Sequence, residues 1–329
     1  MMTKRSNEGM RNAGASMTRR RLLEDSISSA VSLAVVPKAF AAIAASDETE
    51  KTGRHDEVIK LAIVQQDGNP GGVEANRRKA LASAAQALTQ HADVVLFHEE
   101  LLVGYVKNLK DLAEPADGVT TQAFQQLLRD RSSDAQIIYG LTEKDSDRHY
   151  ISAVVVSKHG IVARYRKTHL FPLPNDPINV RNEPAMYTAG DRLVTFKVRG
   201  HLCGLMICFD GDFPEMTRSY ANLGCRMLFW MNNRASRGYD EVKTLAFSNS
   251  MIMATSCCTG KDENGSFCSG GSNITGAQGD LLSEIWGKEG VITADVRPGD
   301  VEHVRKNNVF FTEQRPSLYV YSNNVRELA

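Results

Sequence analysis

Cys208 closes a short apolar run, residues 205–207, and is followed by Phe209 and then by Asp210, Gly211 and Asp212, residue types that turn a chain. The run is too short for a helix and suits a buried strand. Asp212 and Glu215 have the spacing of a capping box and Pro214 suits a first helical turn, so a helix is expected over 213–224, ended by Gly224. A second apolar run, 227–231, leads into Asn232, Asn233 and Arg234. Cys208 therefore sits at a strand–turn–helix corner, which projects its side chain off the end of a sheet beside a helix N-terminus. A thiol so placed ionises more readily and becomes a nucleophile for an electrophilic carbon. On this segment alone, a small buried apolar cysteine fits equally well.

Two further corners decide between these readings. The apolar run 93–97 ends in His98, Glu99 and Glu100, with Gly104 and Tyr105 shortly after. A strand over 161–167 ends in Tyr165-Arg166-Lys167-Thr168-His169, followed by Leu170-Phe171-Pro172. Glu, Lys and Cys in that order, each just after an apolar strand, resemble the nitrilase, or carbon–nitrogen hydrolase, superfamily over roughly 58–321. The resemblance implies that Cys208 attacks a carbonyl or nitrile carbon, giving a thioester or thioimidate. It implies that Glu99, aligned through Gly104 and Tyr105, is the general base. Lys167 would stabilise the oxyanion, with the backbone N–H of Phe209 as a second donor. Glu183, in Glu183-Pro184-Ala185-Met186-Tyr187, resembles the family's second glutamate, which positions the substrate. Tyr105, Asp210, Asn232 and Arg234 are expected around the substrate; Arg234 either pairs with a substrate carboxylate or is a surface arginine. His169 and Glu215 brace the site. His98 stands where the family usually has proline.

Nitrilases proper usually follow the cysteine with Trp-Glu, whereas this chain has Phe209-Asp210. That favours the amidase and carbamoylase branches and a small amide or N-carbamoyl substrate. The alternatives are a nitrile substrate, a Cys–His hydrolase using His169 or His98 as base, and a non-catalytic binding protein. Water suffices as co-substrate. There is no HExxH, no clustered His/Cys spacing and no glycine-rich phosphate loop after a strand, so neither a metal nor another cofactor is expected. A homodimer or larger homo-oligomer is implied by the resemblance alone.

The 329 residues carry 39 Lys+Arg against 39 Asp+Glu, and this even balance gives no reason to expect nucleic acid as partner. No apolar run approaches the ~20 residues that span a bilayer. The N-terminal region differs in composition. Thr18-Arg19-Arg20-Arg21-Leu22-Leu23 looks like a twin-arginine export motif, a weakly apolar stretch covers 27–36, and Ala39-Phe40-Ala41 fits a small-x-small cleavage site. Glu24 and Asp25 depart from that pattern. The expectation is a removable signal over 1–45 and a periplasmic or secreted protein; the alternative is a basic tail on a cytoplasmic one. A linker over 46–57, a hydrolase domain over 58–321 and a tail over 322–329 follow. The six cysteines make no familiar disulfide framework and contain no CxxC.

Strands are expected at 58–64, 93–97, 135–141, 150–157, 161–167, 194–198, 202–207, 227–231, 251–256 and 290–296, with a hairpin across 270–282. Helices are expected at 74–90, 119–131, 213–224 and 241–250. Strands and helices alternate twice, over 58–141 and again over 194–256. Two sheets, each covered by helices on one face, would bury their bare faces together. The expected fold is a four-layer α-β-β-α sandwich of two mixed sheets, which the resemblance also implies.

Overall fold

The computed structural model describes residues 57–175, 182–233, 239–261, 265 and 267–319. The expected signal segment, linker residues 46–56, the tail 322–329 and Arg234 lie outside these residues. One sheet holds β1 (Ile59–Gln65), β2 (Val94–Leu96), β3 (Gln136–Asp145), β4 (Arg148–Ser157) and β5 (Gly160–Arg166) in sequence order. The other is built on β6 (Thr195–Val198), β7 (His201–Ile207), β8 (Met227–Asn232) and β9 (Ile252–Cys257), extended by β10 (Thr259–Lys261), β11 (Phe267–Thr275) and β12 (Leu281–Trp286). The last strand, β13 (Gly290–Val296), returns to the first sheet and pairs antiparallel with β1, from Ile59↔Val296 to Gln65↔Gly290.

Both sheets are mixed. Strands β1, β2 and β3 run parallel, as do β7, β8 and β9, and antiparallel strands flank each trio. Parallel strands lie between two covered faces and so read as continuous apolar runs. Every residue of β2, β8 and β9 is buried. Helices α1 (Val73–Thr89), α2 (Leu109–Leu112) and α3 (Val119–Asp130) connect the strands of the first sheet, and α1 and α3 cover its outer side. After the single turn α4 (Glu183–Met186), α5 (Pro214–Asn222) and α6 (Tyr239–Asn249) lie on the second sheet. Tyr220 of α5 donates to the Leu205 carbonyl at 2.7 Å, and its ring fills the place where a Gly204 Cβ would stand. The two sheets meet face to face, β1 against β9 and β11, β2 against β9, and β4 against β7. The result is the four-layer sandwich.

Two short helices, α7 (Val301–Asn307) and α8 (Val309–Thr312), end the domain and carry too few residues to show a helical period. The expected capping box at Asp212 does not form. Residues Cys208–Asp212 coil as a 3-10 turn, so Phe213, extended at φ −107° and ψ 99°, takes the N-cap of α5 without a side-chain cap. No helix among the described residues is long and apolar enough to cross a membrane.

Candidate active site

Three strands end at the site, each delivering one side chain. Cys208 follows β7 directly and begins the 3-10 turn with φ +45°, in the left-handed region. A non-glycine residue is held there only by surrounding contacts. Asp210 bonds the residue before Cys208 and the strand end opposite. It is fully buried; Oδ2 accepts from the Ile207 N–H at 3.0 Å and the Tyr165 hydroxyl at 2.7 Å. Oδ1 accepts from the Thr168 hydroxyl and the His169 N–H, both at 2.9 Å, and lies 3.0 Å from His169 Nδ1. Asp210, expected around the substrate, thus lies beneath the turn that carries Cys208 and ties it to the segment after Lys167. The Trp230 indole N–H donates to the Cys208 carbonyl at 3.0 Å, and its ring lies where a Gly211 Cβ would come within 2.1 Å. Only glycine fits beneath that indole.

Glu99 follows β2 by three residues and is fully buried. Its Oε1 accepts from Lys167 Nζ at 2.8 Å and its Oε2 from the Asn233 backbone N–H at 2.9 Å. Lys167, one residue past β5, is 1% exposed and also donates to Glu183 Oε1 at 2.8 Å. Glu183 opens α4 with no exposure; it accepts from the Tyr105 hydroxyl at 2.6 Å and from the Phe171 N–H at 2.7 Å. Glu99, Lys167, Glu183 and Tyr105 therefore form one buried hydrogen-bonded cluster. Cys208 is close enough for the charge of its thiolate to act on both Lys167 and Tyr105.

One ammonium faces two carboxylates here. Burial by itself would lower Lys167; Glu99, Cys208 and Glu183 outweigh it, and the ammonium stands well above the usual lysine range. Burial pushes Glu183 up, assisted by the charge of Glu99 and opposed by Lys167. Two of the three Lys167 protons are taken by carboxylates, which leaves the third for an oxygen arriving in the site.

Glu100 bonds other partners than Glu99, and its backbone is turned, with φ +48°. Its Oε1 accepts from the Thr142 hydroxyl at 3.1 Å and from the Tyr187 hydroxyl, while Oε2 is buried without a hydrogen-bond partner among the described residues. Burial, then the charge of Glu99, holds its carboxyl well above the usual carboxylate range. His98, in the family's proline position, is fully buried with Nδ1 2.8 Å from the Glu99 carbonyl oxygen. Burial pushes its imidazole down to about 4. The His169 ring bonds Asp210 and stacks on Phe213 at 3.9 Å.

Phe209 meets Phe171 edge-on at 5.4 Å and Phe213 at 5.2 Å, forming an aromatic wall after the cysteine. Asn232 is 1% exposed, and its Oδ1 has no hydrogen-bond partner among the described residues.

Sequence reasoning missed two supports. The Asn233 N–H on Glu99 is a backbone contact, which side-chain motifs do not reveal. Gly140 in β3 lets the turn after β2 come close: a Cβ there would lie 2.5 Å from both the His98 carbonyl oxygen and the Glu100 nitrogen. An isolated glycine inside an apolar strand is the available signal for such an approach.

Residues 60–306 match the family model described as carbon-nitrogen hydrolase. An (R)-stereoselective amidase of a Pseudomonas species is 31% identical over 233 residues, covering 69% of this chain and 80% of the relative. Human omega-amidase is 26% identical over 252 residues, covering 74% and 91%. A solved amidase of Nesterenkonia AN1, from the nitrilase superfamily, matches the fold with a TM-score of 0.66 at 22% identity, covering 81% of this chain and 96% of that one.

Proposed function

The chain belongs to the carbon–nitrogen hydrolase family, on its amidase-like side, and from that premise we propose that it hydrolyses a small linear amide or N-carbamoyl compound through a thioester on Cys208. The observation that carries this reading is the buried Lys167 bridge, 2.8 Å from Glu99 and 2.8 Å from Glu183, next to a cysteine held at φ +45°. Glu99 takes the Cys208 proton as the sulfur attacks the carbonyl carbon. The negative charge that develops on the carbonyl oxygen falls to the third Lys167 proton and the Phe209 N–H. Glu99 returns its proton to the nitrogen, the C–N bond breaks, and ammonia or an amine leaves. Water then attacks the thioester, giving its proton to Glu99; the acid departs and the thiol is restored. Glu183 holds Lys167 from the far side, and Tyr105 holds Glu183.

The two relatives described above are named amidases, which supports an amide over a nitrile. The twin-arginine motif at 18–23 supports export of an already folded protein, and all six cysteines, Cys208 among them, are thiols. A panel of short aliphatic amides, N-carbamoyl amino acids and nitriles tests the reading on wild type and Cys208→Ala. Turnover of an amide or carbamoyl compound, abolished in the variant, is the expected result. Turnover that survives in Cys208→Ala, or that is confined to nitriles, would contradict it.

A further inference from the structure

Outside the catalytic cluster, the structure brings two other thiols together. Past β9 the chain runs through Cys258 into β10, and β10 pairs antiparallel with β11 so that Thr259 faces Ser269 and Gly260 faces Cys268. The Thr259 hydroxyl donates to the Cys268 carbonyl at 2.9 Å, which fixes the two strands beside the cysteines. The side chains of Cys258 and Cys268 are in hydrogen-bond contact. Both line one cavity of about 10 Å³, together with Gly68, Gly104, Lys261 and Asn233. Asn233 is the residue whose N–H holds Glu99 Oε2 at 2.9 Å. The pair therefore stands in the wall beside the catalytic cluster, yet the chemistry of Cys208 uses neither sulfur. Their access differs: Cys258 is 3% exposed, whereas Cys268 is only partly buried. Contact with Cys268, then burial, holds the Cys258 thiol well above its usual range.

We propose that Cys258 and Cys268 are a disulfide-forming pair, a reversible oxidation site in the wall of the active-site region, with a small-molecule disulfide as oxidant. Cys268, the more exposed, loses its proton and attacks the reagent disulfide. One thiolate leaves and is protonated, and a mixed disulfide forms on Cys268. Cys258 then gives up its proton and attacks the Cys268 sulfur. The second reagent thiolate leaves, and the Cys258–Cys268 bond closes. Two protein thiols and one reagent disulfide become one protein disulfide and two reagent thiols. The bridge joins the connection between β9 and β10 to β11, in the cavity wall that also holds Asn233. Because Cys258 is the buried partner, it serves to resolve the mixed disulfide rather than to meet the reagent.

The test uses the full chain carrying Cys208→Ala, so that the nucleophile itself does not react. The reduced protein is equilibrated across a series of glutathione redox buffers, quenched by alkylation, and examined by intact mass and peptide mapping. The expected result is a species lighter by two hydrogens that has lost two alkylatable thiols together, with one cross-linked peptide pair containing Cys258 and Cys268. With Cys258→Ser added, Cys268 is expected to accumulate as a glutathione adduct, since nothing resolves it. Three results would overturn the proposal: both cysteines alkylated across the whole series, a bridge joining other cysteines, or a lasting glutathione adduct on Cys268 while Cys258 is present.

Discussion

Two buried carboxylate clusters lie side by side at the end of β5, one reached by Arg166 and the other by Lys167. In the first, fully buried Glu143 faces two cations: Oε1 accepts from Arg164 at 2.9 Å and Arg166 at 2.5 Å, and Oε2 from the Ser152 hydroxyl at 2.5 Å and Arg166 Nε at 3.2 Å. The Arg166 guanidinium also lies 3.5 Å from the centroid of the Tyr150 ring and pairs with Asp145. Cations outnumber the central carboxylate, its oxygens are filled, and the side chains of Arg164 and Arg166 reach water at 43% and 21% exposure. In the second cluster the ratio is reversed. One ammonium serves two carboxylates, a third carboxyl stands behind them, and none of these side chains is more than 1% exposed. A saturated cluster whose cations do not give up protons is an anchor. A dry cluster short of positive charge has a place for a proton and one ammonium N–H to spare. Burying unbalanced charge costs stability, so its presence marks the part of the molecule kept for chemistry.

Removing the cation breaks the second cluster most sharply. Lys167→Met is expected to lower kcat by at least about 10²–10³-fold. It should also destabilise the fold by about 3–5 kcal/mol, because Glu99 and Glu183 would then face each other uncompensated. Steady-state rates on the best amide and urea unfolding of the same preparations check both. A variant that keeps rates near wild type would place Lys167 with the anchors.

Both clusters hang on β3, through Gly140 on one side and Glu143 on the other. Gly140→Ala would set a Cβ 2.6 Å from the Glu99 Cα, so the turn carrying Glu99 has to move off the strand. A cost of about 1–3 kcal/mol is expected from overpacking. If Glu99 is the base of the proposed mechanism, its displacement is expected to lower kcat by up to about 10²-fold. Equal kcat at reduced stability would show that the turn shifts without moving the carboxylate.

His98 adds a pH dependence to the site side. The unfolded chain takes up a proton near the ordinary value of 6.5, whereas the buried imidazole resists protonation until about 4. Between those values the unfolded state binds more protons, so the His98 contribution is present above pH 6.5 and is lost as pH falls toward 4. The window is worth about 3 kcal/mol. Glu100 and Glu183, both raised by burial, act in the opposite sense: they favour the native state at acid pH and lose that contribution as pH rises through their native values. The difference between wild type and His98→Gln isolates the histidine. Between pH 6.5 and pH 4 the urea midpoint of wild type should fall relative to that of His98→Gln, and parallel curves would place the imidazole in contact with water.

The sequence made these clusters unequally legible. Glu99, Lys167 and Cys208 each follow an apolar run, and a strand end is visible as the place where such a run stops. Glu183 is found through its short motif, not through periodicity, because α4 is a single turn. The return of β13 to the first sheet was hidden, since an apolar run names a strand and not its partner. The partners of Asp210 were hidden for a related reason. Its turn position says nothing of the Tyr165, Thr168 and His169 groups it bonds, residues 41–45 positions away. Glu143 carried no signal at all, because its partners come from β4 and β5 and only the strand register, Glu143↔Tyr150 and Ser152↔Arg166, brings them together.

The smallest expected effect is also the sharpest discriminator. Glu143→Gln keeps the shape of the anchor and removes its charge. Arg164 and Arg166 are partly hydrated, and Arg166 keeps Asp145, so they are not left as isolated charges in a dry interior. A loss of about 1–3 kcal/mol in stability is expected, with kcat unchanged. Lys167 sits one residue beyond Arg166, so any disturbance of β5 would reach it through the backbone; the Lys167 N–H, held at 2.8 Å by the Ile151 carbonyl, and its carbonyl, held at 2.8 Å by the Gly190 N–H, isolate it. Rates and unfolding midpoints measured together separate the cases. If kcat falls in step with that of Lys167→Met, the two clusters act as one unit, and Glu143 belongs to the catalytic machinery rather than to its support.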